Sequence, residues 1–143
     1  MRPCETLFLY PTQLCFVVGF PEGLVDSTEP HFPRPIFKSG HIAFDPRIDF
    51  NGEPVVLLDA ITRLGQSGSP VFATESAWNG GFVPNCFLGI YSGRYTVAGK
   101  ELAGEQQCAI DQAGLSIGRV FKPRVISEIF EAHGLRSSFA PIP

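Results

Sequence analysis

Gly65-Gln66-Ser67-Gly68-Ser69-Pro70-Val71-Phe72 holds a serine between two glycines, in a tight turn that runs straight into an apolar strand. Glycines let a backbone bend where a Cβ would clash. The amides of Gly65 and Ser67, two positions apart, can then point at a single oxyanion. This is the setting a nucleophilic serine needs. Pro70 and Val71-Phe72 fix the exit of the turn as the start of a strand, and the segments on either side are read from there.

Upstream, Val55-Val56-Leu57-Leu58 reads as a buried strand, followed by an irregular loop from Asp59 to Gly68. Before it, Asn51-Gly52 is a hairpin signal between Ile48-Asp49-Phe50 and Pro54 to Leu58. Leu14 to Phe20 is a near-continuous apolar run closed by Pro21-Glu22-Gly23, and Ile36 to Phe44 is the next strand. Downstream, Ser69 to Thr74 is a strand, Ser76 to Pro84 a loop, and Cys86 to Tyr91 a strand ending at Ser92-Gly93. Leu115 to Phe121 is the last strand. A helical period appears only after Pro123, with Val125, Ile126, Ile129 and Phe130 on one face and Gly134 as its stop. Sequential strands without alternating helices predict an all-β, six-stranded antiparallel barrel carrying one C-terminal α-helix. Residues 14–134 form that domain, residues 1–13 precede it, and residues 135–143 are a loose tail.

Composition narrows the function classes. Hydrophobic residues make up 44% of the 143 and charged residues 17%, which excludes a disordered chain. A net charge of −3, with basic residues scattered singly, gives no footprint for nucleic acid or an anionic membrane. Cys4, Cys15, Cys86 and Cys108 lack metal-ligand spacing, so no metal and no cofactor is expected. Cys15 and Cys86 lie in apolar runs and read as buried free thiols, although the count leaves room for one or two disulfides. Pro11 cuts the first apolar run short, and Glu5 sits where a signal peptide is basic, so a cytoplasmic, reduced setting is expected.

With Val17-Val18-Gly19-Phe20-Pro21, the Gly65–Phe72 turn, Leu88-Gly89-Ile90-Tyr91-Ser92-Gly93 and Ile117-Gly118-Arg119-Val120-Phe121, the chain resembles the trypsin-like (chymotrypsin-fold) serine peptidases of bacterial type. The order of these motifs runs through nearly the whole chain. The resemblance implies that this is the second barrel of the double-barrel fold, with residues 1–13 a remnant of the inter-barrel linker. It implies that Ser67 is the nucleophile and that the Gly65 and Ser67 amides form the oxyanion hole. Ser92 and Gly93 match the edge that pairs with a substrate backbone. Ile61 matches the floor of the primary specificity pocket, with Gly118 on its wall. An isoleucine floor excludes a preference for Lys or Arg. Gln66 replaces the family's aspartate, which puts zymogen-style activation in doubt.

The family carries its histidine and aspartate on the first barrel, and nothing matching that barrel is present. His31 lies in a proline-rich loop, His41 inside a strand and His133 at the end of the helix, and each reads as structural or surface. The expectation is a truncated peptidase chain that acts on a peptide or protein substrate and needs a missing N-terminal barrel or a partner chain. The alternative is a catalytically inactive module that binds extended peptides or a partner chain along Ser92-Gly93. An unpaired barrel exposes an apolar face, which Leu7-Phe8-Leu9-Tyr10 can cover in part.

Overall fold

In a computed structural model of the chain, residues 2–3, 9–24, 33–63, 65–76, 82–94 and 116–134 are described. They form strands β1 (Arg2–Pro3), β2 (Leu14–Gly19), β3 (Ile36–Ile42), β4 (Val55–Asp59), β5 (Pro70–Ser76), β6 (Phe82–Arg94) and β7 (Ile117–Phe121). Helix α1 (Pro123–Ala132) follows at once. Hydrogen bonding runs in the order β6-β5-β2-β3-β4-β7, and β7 pairs back with β6. The result is a closed six-stranded antiparallel barrel, as the strand and turn pattern predicts. Closure leaves no long unpaired edge inside the sheet.

Period-2 patterning sets the register. Along β2, Cys15, Val17 and Gly19 are buried while the alternate residues are only partly so, and the ladder places Leu14 opposite His41 and Val17 opposite Val71. A one-residue slip would turn this set outward. The interior is filled by Cys15, Val17, Ile42, Val56, Leu58, Val71, Leu88, Tyr91 and Val120, with Leu9 packed against them. Of the Leu7–Tyr10 segment expected to cover the barrel's exposed apolar face, Leu9 packs against the interior cluster and Tyr10 is exposed, while Leu7 and Phe8 lie outside the described residues. In β4, Val55 to Leu58 are all buried, which is why that strand reads as an unbroken apolar run.

Three local differences from the sequence reading have physical causes. Strands β5 and β6 extend to Ser76 and start at Phe82, pairing Ser76 with Phe82 and Thr74 with Pro84. Polar and proline residues there remain in the ladder because two register irregularities absorb the mismatch. Residues 2–3, read as linker, add to Cys86 and Phe87 as a parallel strand, β1. Cys86 is disulfide-bonded, with its partner outside the described residues, whereas Cys15 is a free buried thiol. Cys86 therefore departs from the expected free thiol: an apolar run shows that a cysteine is buried, but its pairing depends on what the sheet places beside it.

The Asn51-Gly52 hairpin is present as a tight turn with a single Phe50–Glu53 bridge. It is fastened to the junction of β7 and α1, where Lys122 Nζ donates to Ile48 O (3.0 Å) and Asp49 Oδ1 (2.8 Å), and Arg124 pairs with Asp49. Helix α1 starts at Pro123, whose missing N–H costs nothing at that position. It ends where His133 N and Gly134 N donate to Ile129 O and Glu131 O.

Candidate functional site

The Ser67 turn is built from four backbone hydrogen bonds. Arg63 O accepts from Gln66 N (3.4 Å) and Gln66 O accepts from Ser69 N (3.1 Å), so two successive turns overlap at Gln66. Two further bonds dock the exit onto β6: Gly68 N donates to Tyr91 O (2.8 Å) and Tyr91 N donates to Ser69 O (2.9 Å). They continue the β5–β6 ladder past Pro70, so the turn is an extension of the sheet rather than a free loop. At Gly65, φ is 85°, and a Cβ there would lie 2.7 Å from Glu22 N. Only glycine both adopts that conformation and fits against the backbone after β2.

Ser67 itself is exposed. Its Oγ donates to Ser92 O at 3.5 Å, which brings the sequence-predicted nucleophile and substrate edge together across 25 residues of chain. A bulge permits this: Tyr91 pairs with Val120 and Gly93 with Arg119, leaving Ser92 as the extra residue of β6. Its own hydroxyl turns to β7, donating to Arg119 O (3.3 Å) and accepting from Arg119 Nε (3.0 Å). Among the described residues, the Gly65 and Ser67 amides donate no hydrogen bond. Two N–H groups two positions apart, beside an exposed hydroxyl, can receive one oxyanion.

Gly118 lies buried on β7 opposite Arg94, where a Cβ would sit 2.8 Å from the Tyr91 ring. Ile61 is 68% exposed on the segment after β4, between buried Ala60 and Thr62. Behind these positions runs a polar chain absent from the sequence reading. The Thr62 and Tyr91 hydroxyls are 2.5 Å apart, and Arg94 Nε donates to Thr62 Oγ1 (3.2 Å). No short-range signal joins Thr62 to Tyr91; the barrel closure does.

No base adjoins Ser67 among the described residues. His41 is exposed on β3, opposite Leu14 and Asp59. The ring of His133 contacts Ile129 O in its own helix, and His31 lies outside the described residues. Cys15 is no substitute nucleophile, because burial pushes its thiol up to about 12. No group of metal-ligating side chains is present among the described residues. No helix among them is long and apolar enough to cross a membrane.

No family model, curated protein or solved structure matches the chain. The functional reading therefore stands on the site itself.

Proposed function

We propose that this barrel is the nucleophile-bearing half of a trypsin-like serine peptidase. In this reading Ser67 Oγ attacks the carbonyl carbon of a scissile peptide bond while its proton passes to a base carried outside the described residues. That base is a histidine of a complementary barrel or partner chain, held by an aspartate. The tetrahedral oxyanion is received by the Gly65 and Ser67 amides. The leaving amine takes the proton from the base, and water then releases the acyl group from Ser67. Ser92 and Gly93 align the substrate backbone by strand addition. Ile61 and Gly118 border the side-chain pocket, which takes uncharged side chains in preference to Lys or Arg.

One observation carries the reading: the Gly65 and Ser67 amides have no hydrogen-bond partner among the described residues, beside an exposed hydroxyl, on a turn held to Tyr91 by two backbone hydrogen bonds. A plain connecting turn has no need of that docking. A second reading, a non-catalytic module for extended peptides, is favoured by the Ser67 hydroxyl facing Ser92 O rather than a base.

Fluorophosphonate labelling of the full-length protein separates the two. The peptidase reading expects one adduct, on Ser67, that disappears in Ser67→Ala. A protein that binds extended peptides yet stays unlabelled even with the barrel or chain that supplies the histidine present would refute it in favour of the binding module.

A further inference from the structure

Gln66 is fully buried, yet its side-chain Nε2 has no hydrogen-bond partner among the described residues. Its Oε1 accepts from Arg63 N at 2.8 Å. A backbone N–H can only donate, so the carboxamide oxygen must face Arg63 and the NH₂ must be the unpaired end. An unpaired buried donor is unfavourable, and methionine would fill a similar volume without one. A glutamine kept at such a position points to a role for its oxygen end.

The turn shows what that role is. Gly65 is the third residue of the Arg63–Gln66 turn, and its φ of 85° is the third-position value of a type II turn. Rotating the peptide before Gly65 gives the type I form, with the Gly65 N–H facing the other way. Glycine alone enters both forms readily, so its own preference does not choose between them. The backbone bond across the turn, Gln66 N to Arg63 O, is long at 3.4 Å and a weak restraint. The Gln66 Oε1 bond spans the same two residues at 2.8 Å and is the stronger tie. With Arg63 and Gln66 tied and a Cβ at Gly65 excluded by Glu22 N, Gly65 is held in its left-handed conformation.

We propose that Gln66 is a positioning residue: its buried carboxamide oxygen, by holding the Arg63 N–H, keeps the Gly65 and Ser67 amides presented to an oxyanion. The inference rests on the peptidase reading for its consequence, whereas the lock itself is a property of the turn. The oxyanion site is thereby set within this segment, without a charge delivered from elsewhere in the chain.

The test compares wild type, Gln66→Met and Gln66→Glu as full-length protein. In ¹H–¹⁵N spectra the Gly65 and Ser67 amide signals shift on titration with inorganic phosphate. Gln66→Glu keeps that response, because a carboxyl oxygen still faces Arg63 N–H in either protonation state. Gln66→Met loses it, with a melting temperature unchanged or raised. Fluorophosphonate modification of Ser67 slows by about 100-fold in Gln66→Met at unchanged inhibitor affinity, the usual size for one lost oxyanion donor. A merely structural glutamine gives the opposite pattern, a lowered melting temperature with the phosphate response intact, and overturns the proposal. So does a wild type whose two amides ignore phosphate, a result that needs no variant to fold. Gln66→Leu serves if Gln66→Met does not fold. A phosphate response without Ser67 labelling, with the base-bearing barrel or chain present, refutes the peptidase reading and leaves the lock standing.

Discussion

Gly89→Ala tests the closure that sets Tyr91 to Arg94 beside the Ser67 turn. Gly89 has φ 145°, and a Cβ built there falls 1.9 Å from Phe121 O. The first cost is conformational: this region is nearly glycine-only, at about 1–3 kcal/mol for another residue. The second is steric, because the methyl must push apart the seam at which Ile90 pairs with Phe121 and the barrel closes. Losing one or two ladder hydrogen bonds there adds about 1 kcal/mol each. The sum, roughly 2–5 kcal/mol, reaches the severe class of point substitutions at its upper end. For a chain of this length it lowers the melting temperature by roughly 6–20 °C. Gly93→Ala is the matched control, since its φ is 142° and no atom lies within 4 Å of the added methyl. It carries the first cost alone, a fall of roughly 3–10 °C. Calorimetry of the two variants reads both terms. Equal falls would show that the approach of β6 to Phe121 is looser than 1.9 Å implies, and would remove the argument that Gly89 closes the barrel.

Two further expectations follow from titrating groups. The Arg47 side chain, and then its backbone N–H, hydrogen-bond Asp45 and hold its carboxyl at about 2. A depressed carboxyl stabilises the fold above its unfolded pKa, so this contribution is lost as pH falls from about 4 to 2. Carboxyl ¹³C titration should place the Asp45 midpoint there, and Arg47→Ala should return it toward the ordinary range; an unmoved midpoint sinks the assignment. Cys15 behaves oppositely: its thiol stays protonated up to about 12 when folded, so the unfolded state loses its proton first and stability falls as pH rises above the ordinary thiol range. Iodoacetamide at pH 8, read by mapping the Cys15 peptide, should leave the native protein unmodified at that position and react once it unfolds.

Strand positions were legible wherever one face is buried. Leu14 to Phe20 and Val55 to Leu58 declare themselves through apolar content and turn residues, and the barrel places them within a residue of where they were read. The start of β6 was not legible, because Phe82 to Pro84 fall in a stretch that reads as loop, and Pro84 pairs with Thr74 only across an irregularity that skips Asn85 and that the partner strand defines. The site divides in the same way. The Gly65–Pro70 turn is a local pattern and could be read directly. Ser92 facing Ser67, Thr62 bonded to Tyr91, and the burial of Gln66 are products of closure between segments about 25 to 30 residues apart. Gln66 in particular looks like an exposed loop residue in sequence; its polarity conceals that its oxygen closes the turn from inside.

The geometry at Ser67 also bears on how a base can act there. The hydroxyl donates to Ser92 O at 3.5 Å, the outer limit for such a bond, and on an exposed side chain. Breaking it costs well under about 1 kcal/mol, so the proton is available to any imidazole that approaches from solvent. The turn that carries the amides is held quite differently, by docking onto Tyr91 at 2.8 and 2.9 Å and by the buried Gln66 tie at 2.8 Å. Under the proposed peptidase reading, the anion-receiving donors are therefore set in the sheet while proton removal is left to a separable group. This division suits a catalytic arrangement split between two folding units. Preorganised donors lose their effect if they must reorganise during reaction, whereas a weakly held hydroxyl can take up its proton acceptor when that acceptor docks.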